Sequence, residues 1–203
     1  MAIFGFLISF GLLLLAMSVH EFSHAWVSYK FGDPTPKLAG RLSLNPLAHI
    51  DIMGTLILPL FLFIATGGRF VFGAAKPVPI NYLLLKNPKR DIIWIGLAGP
   101  ASNLILAFGL SLIIKILPHG SLLSVILNNF SIINIVLGVF NLIPIPPLDG
   151  SRVVMGLLPP HLFRSYISIE PYGFIILMAL IAFGIFNIII WPIVNIIIRL
   201  WGL

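Results

Sequence analysis

The chain has 203 residues, of which 59% are hydrophobic and only 9% charged, against about 25% charged in ordinary soluble domains. Too few polar residues are present to cover a water-facing surface, so a soluble four-helix metal protein is excluded and a polytopic membrane protein is expected. The net charge of +6 reads as loop charge beside an anionic leaflet rather than nucleic-acid binding, and the absence of cysteine excludes disulfides and thiolate metal sites.

A bilayer core of roughly 30 Å takes about 20 apolar residues as helix. The first such stretch is 1–27, with no charge before Glu21. It lacks a basic leader and a small-residue cleavage site, so a retained helix is expected rather than a signal peptide. A polar loop follows at 29–51. Next comes an apolar run at 52–66, interrupted by Gly54 and Pro59, whose length as helix is only about 22 Å. A second polar loop spans 67–90. Further spans are expected at 91–117 (with Asp91 capping), 122–143 and 172–190. The tail 191–203 continues the last helix or lies at the interface.

The two polar loops hold most of the Lys and Arg residues, which places both on the cytoplasmic side and the amino terminus outside. The run at 52–66 should then enter and leave by one face, as a re-entrant segment, with a tilted single crossing as the alternative. The fold class is therefore an all-α polytopic membrane protein with about four to six transmembrane helices and a short re-entrant or β-hairpin segment. One domain is expected over 1–203, with a core at 1–158 and accessory C-terminal helices at 159–203.

At the end of the first stretch, "HEFSH" puts His20 and His24 one turn apart on one helix face, with Glu21 beside them. That spacing lets two imidazoles reach one zinc ion while the glutamate turns toward the same water. Charged groups in a membrane helix are costly and mark function when they have partners. A catalytic zinc site needs a third protein ligand, drawn from the few remaining His and acidic residues. His119 and His161 fall in turns or surface connections. Asp149 follows "FNLIPIPP", where prolines prevent a regular helix. Two crossings separate it from His24, which returns it to the same face. His49 and Asp51 are open between supporting the site and folding their loop.

"HEFSH", "GRLSLNPLAHID", "GAAKPVPIN", "GLAGPASN" and "FNLIPIPPLDG" occur in this order, and together they resemble the site-2 protease family of intramembrane zinc metalloproteases. The closest similarity is to short forms without PDZ or cystathionine-synthase-type domains, so regulation would come from a separate protein. The resemblance implies one zinc ion per chain bound by His20, His24 and Asp149, with Glu21 as the catalytic glutamate. It also implies that Asn141, of an Asn-Pro-Asp-Gly motif formed with Pro144, Asp149 and Gly150, holds substrate. Asn141 is equally open to an interhelical hydrogen bond, and Asn103 is expected to pack helices.

The expected function is hydrolysis of peptide bonds in transmembrane substrates, in a prokaryotic cell membrane, from a site opening toward the cytoplasm. The segment "GRFVFGAAKPVPI" is open between an edge for an extended substrate and a plain loop. Two other classes fit less well: a non-catalytic zinc-binding scaffold or chaperone, which has no need of Glu21, and an ion transporter, which the lack of internal repeats disfavours.

Overall fold

The structure, a computed structural model, describes residues 2–65, 67, 73, 75–184 and 186–203, without the side chains of residues 2, 3, 62, 65 and 186. The first helix, α1 (Ala2–Lys30), is 29 residues long, about 43 Å, and so exceeds the hydrocarbon thickness. Its end is marked by Gly32, whose φ of 110° suits only glycine. A short α2 (Thr35–Leu38) and a 3-10 turn (Pro46–His49) follow.

The run expected at 52–66 is helical, as a π-helical Ile52–Ile57 leading into α3 (Leu58–Ala65). Its turn is capped by Asp51, whose carboxylate accepts from Gly54 N at 2.7 Å. Far along α3, Phe63 packs on Phe6 of α1 with ring centroids 4.6 Å apart. The chain then comes back. A Cβ on Gly73 would lie 2.7 Å from Pro59 Cγ and 3.2 Å from Gly54 O, and Lys76 N donates to His49 O at 2.9 Å. No strand occurs among the described residues. Of the segment open to a role as a substrate edge, residues 68–72 and 74 lie outside the described residues.

The next span, α4 (Pro88–Ile114), starts three residues before the expected Asp91. Pro88 takes the first helical position, where a missing N–H costs nothing. Asp91 instead reaches back and accepts from Asn87 N at 2.8 Å. α5 (Leu122–Asn141) is capped by Ser121 and ends two residues earlier than expected. After the prolines come α6 (Asp149–Leu157), α7 (Pro160–Ile167) and α8 (Gly173–Ala182). The span expected at 172–190 is not one helix: it breaks at Gly184, whose φ is +80°. A π-helical turn, Phe186–Ile190, then runs straight into α9 (Trp191–Trp201).

Among the described residues, four stretches are long and apolar enough to cross a membrane: 4–30, 88–114, 122–141 and 160–182. Large apolar side chains such as Phe4, Ile105 and Leu200 are exposed, as suits a surface meeting lipid rather than water. This is an integral membrane protein. Among the described residues, the interior holds two apolar clusters. One joins Ala107, Ile135, Val139, Ile190 and Val194, knitting α4, α5 and α9. The other joins Phe140, Leu148 and Leu177 beneath the proline segment.

The polar loops are stitched by Asp33, which is fully buried. It accepts from Ser28 Oγ at 3.0 Å, Thr35 N at 2.9 Å and Asn81 N at 2.8 Å. Burial alone would raise its pKa, but these donors hold it below the ordinary carboxylate value. That contribution is present above the ordinary pKa and is lost as the pH falls through the lowered one.

Candidate metal centre and active site

Twelve residues precede Leu13, and from there α1 turns one stripe inward. Leu13, Met17, His20, Glu21 and His24 all border one cavity of about 790 Å³. Their spacing of three and four residues is that of a single helix face. Ile133, Leu137, Phe140 and Asn141 of α5 border the same space, as do Asp149 and Arg152 of α6 and Leu177 of α8. Gly73, Ala75 and Pro77, from the returning loop, complete it on that side.

Asp149 sits in the first turn of α6 because the prolines end α5 and the chain restarts at Leu148 in an extended conformation. Gly150 makes the close turn possible: a Cβ there would lie 2.3 Å from Leu142 O and 2.5 Å from Ile143 O. Asp149 Oδ2 then lies 2.8 Å from His20 Nε2 and 3.1 Å from His24 Nε2. His20, His24 and Asp149 are all buried, and among the described residues they are the one group of three or more His or acidic side chains that could hold a metal ion.

The other ring nitrogens decide what these atoms are. His24 Nδ1 is 2.6 Å from Ile95 O, which can only accept, so Nδ1 carries the proton. His20 Nδ1 is 2.6 Å from Asn103 Oδ1. The orientation of Asn103 is fixed because its Nδ2 donates to Ala16 O at 3.1 Å and to Asn134 Oδ1 at 2.7 Å. Both imidazoles thus turn bare Nε2 atoms toward a carboxylate oxygen. Three lone-pair atoms converge in a buried place, and a cation is what satisfies such a set. Two donors on a tetrahedral zinc with bonds near 2.0 Å stand about 3.3 Å apart, close to the separations seen. The residues fit zinc.

Gly99 is part of that fit. A Cβ at this position would lie 2.4 Å from His24 Nε2 and 2.5 Å from His20 Nε2, so α4 can approach the rings only without a side chain there. The sequence reading assigned Asn103 to helix packing. It is fully buried between helices, but its oxygen also orients His20. The signal that could have found it is an asparagine one helical turn after a small residue in a span facing the histidine helix.

Asn141 borders the cavity, with its Nδ2 donating to Leu137 O at 2.9 Å. Among the described residues, no donor is recorded to its Oδ1. His49 lies outside the cluster: it is buried in the loop, where Nε2 donates to Ser43 O at 2.7 Å. Asp51 is used as a cap, and His161 is exposed on α7.

The model of peptidase family M50 matches residues 115–183, a range that includes Asn141 and Asp149. "Putative zinc metalloprotease YwhC" of Bacillus subtilis is 38% identical over 192 residues, covering 90% of this chain and 84% of that protein. "Putative zinc metalloprotease Rip2" of Mycolicibacterium smegmatis is 33% identical over 171 residues, covering 83% of this chain and 64% of the relative. The protein of the same name from Mycobacterium tuberculosis H37Rv is 31% identical over 169 residues, covering 82% and 63%. No solved structure matches. The chain belongs to peptidase family M50, the site-2 protease family.

Proposed function

We propose that the protein is a zinc-dependent intramembrane endopeptidase that hydrolyses peptide bonds of transmembrane substrates. The observation that carries this reading is the convergence of two bare Nε2 atoms on Asp149 Oδ2, with Glu21 bordering the same cavity. Membership of a peptidase family and relatives named "putative zinc metalloprotease" support it.

His20 Nε2, His24 Nε2 and Asp149 Oδ2 would hold the ion. Zinc bound there would supply Lewis acidity, polarising the scissile carbonyl and making water acidic enough to lose a proton near neutral pH. Glu21 would accept that proton on its carboxylate and return it to the leaving amine nitrogen. Ile95 O and Asn103 Oδ1 keep both rings in the tautomer that leaves Nε2 free. Asn141 Oδ1 accepts from a backbone N–H of the extended substrate. Apolar walls from Leu13, Ile133, Leu137 and Leu177 exclude bulk water and receive substrate side chains.

His20 and His24 precede Lys30 by ten and six residues, about 15 and 9 Å along the helix. Lys30 lies 5.6 Å above the ring of Trp26, a pairing suited to headgroup depth. The reaction centre then lies below the headgroups and opens toward the cytoplasmic side, where the basic loops are. The bond from Lys76 N to His49 O and the return of Gly73 to Gly54 support a re-entrant path for residues 52–65. Ala75 and Pro77 border the cavity, which brings non-helical backbone of the returning loop beside it for an extended substrate to pair with.

The test is cleavage of a membrane-embedded substrate by the purified protein, comparing wild type with Glu21→Gln. Loss of cleavage with zinc retained is expected. A variant that keeps zinc and cleaves as fast as wild type removes Glu21 from the mechanism. A wild type that binds zinc but cleaves no membrane substrate favours the scaffold reading.

A further inference from the structure

The two oxygens of Asp149 have different neighbours. Oδ2 faces both histidines, whereas Oδ1 lies 3.5 Å from Arg152 Nη1. Arg152 stands three residues on along α6, so helix geometry places it on the same face as Asp149. Its side chain is only 22% exposed. Its stem is fixed against α4, since a Cβ on Gly96 would lie 2.9 Å from Arg152 Cβ and 3.0 Å from Asp149 O. Among the described residues bordering the cavity, Arg152 is the only Lys or Arg, and it shares the space with the acids Glu21 and Asp149.

A carboxylate can give a metal one oxygen or both. With both, a site of two histidines and one aspartate moves from four donors, counting water, to five. A guanidinium stays charged even in a poorly solvated cavity, and its fixed fork of N–H groups occupies one oxygen while leaving the other bare. We propose that Arg152 is a positioning residue: by holding Asp149 Oδ1 it makes the carboxylate a one-oxygen ligand through Oδ2 and keeps a coordination position for water. This rests on the zinc reading above. It assigns a role to a residue that neither the histidine motif nor Asp149 itself explains.

The role is read in the detergent-solubilised full chain by two measurements that do not depend on cleavage. One is zinc affinity from competition with a chromophoric chelator. The other is the visible absorption of the cobalt(II)-substituted protein, which is intense for four-coordinate and weak for five-coordinate ions. Arg152→Gln is expected to lose about 10–100-fold in zinc affinity, the usual effect of removing a group that orients a ligand, with a weakened cobalt spectrum. Arg152→Lys keeps the positive charge and should recover most of the spectrum and part of the affinity.

The proposal is overturned if Arg152→Gln keeps the wild-type spectrum and an affinity within about threefold, because loss of an orienting group should exceed that. It is also overturned if the Gln and Lys variants lose affinity equally with unchanged spectra, which would mean packing alone. Failure of the underlying zinc reading looks different: wild type and Asp149→Ala would then bind metal equally.

Discussion

Helices α4 and α8 both serve the cavity, and they do so in opposite ways. α4 stands behind the histidines with a polar and glycine-rich face: Gly99 leaves room for the rings, while Ile95 O and Asn103 Oδ1 each receive an Nδ1 proton. The same helix accepts from Ser131 Oγ of α5 at Ala107 O, at 3.0 Å. α8 is apolar throughout, buries only Gly173 and Leu177, and gives the cavity Leu177 and Ile181. The chemistry is held by hydrogen bonds of defined direction on α4, and α8 supplies a wall whose contacts have no direction. Changes on α4 should therefore damage the metal site, and changes on α8 should spare it.

The largest effect is expected at Gly99. In Gly99→Ala the new methyl group would fall within 2.5 Å of both Nε2 atoms, and the rings must leave their places. Zinc affinity should drop by more than about 100-fold, beyond the range for an indirect ligand partner, as read from chelator competition. Wild-type affinity in this variant would mean that α4 does not approach the histidines as described.

Asn103→Ala comes next, with a loss of about 10–100-fold in zinc affinity. It removes the acceptor of His20 Nδ1 and the donor to Ala16 O and Asn134. A loss of stability with unchanged affinity would return Asn103 to packing alone.

The smallest effect belongs to Leu177→Ala. It opens space beside Phe140 and Leu148, but lipid is as apolar as the side chain it replaces. Destabilisation below the roughly 2–5 kcal/mol of water-soluble cores is expected, with zinc affinity unchanged. An unfolding titration in detergent and the same chelator assay read both; a Leu177→Ala protein depleted of zinc would erase the contrast between the two helices.

The same contrast explains what could be read from the sequence. Residues whose chemistry is unusual in a membrane stand out, so His20, Glu21, His24 and Asp149 were all visible, and the proline break before Asp149 was visible with them. Asn103 was seen but its role was not, because its partners lie 83 and 31 positions away in the chain. Arg152 was passed over, as it gains meaning only from its distance to Asp149 Oδ1. The helix ends were blurred for another reason. Residues 173–182 are uniformly apolar, so no polar face alternates with a buried one, and the break at Gly184 carries no mark but the glycine itself. At the start of α4, Asn87 and Pro88 outweighed Asp91 as the boundary signal.

The most direct test of the whole account is the zinc content of the purified protein beside three single variants. One equivalent per chain is predicted for wild type and for His161→Ala, with His20→Ala and Asp149→Ala each depleted. Equal zinc in all four, or none in wild type under zinc-replete purification, would contradict it.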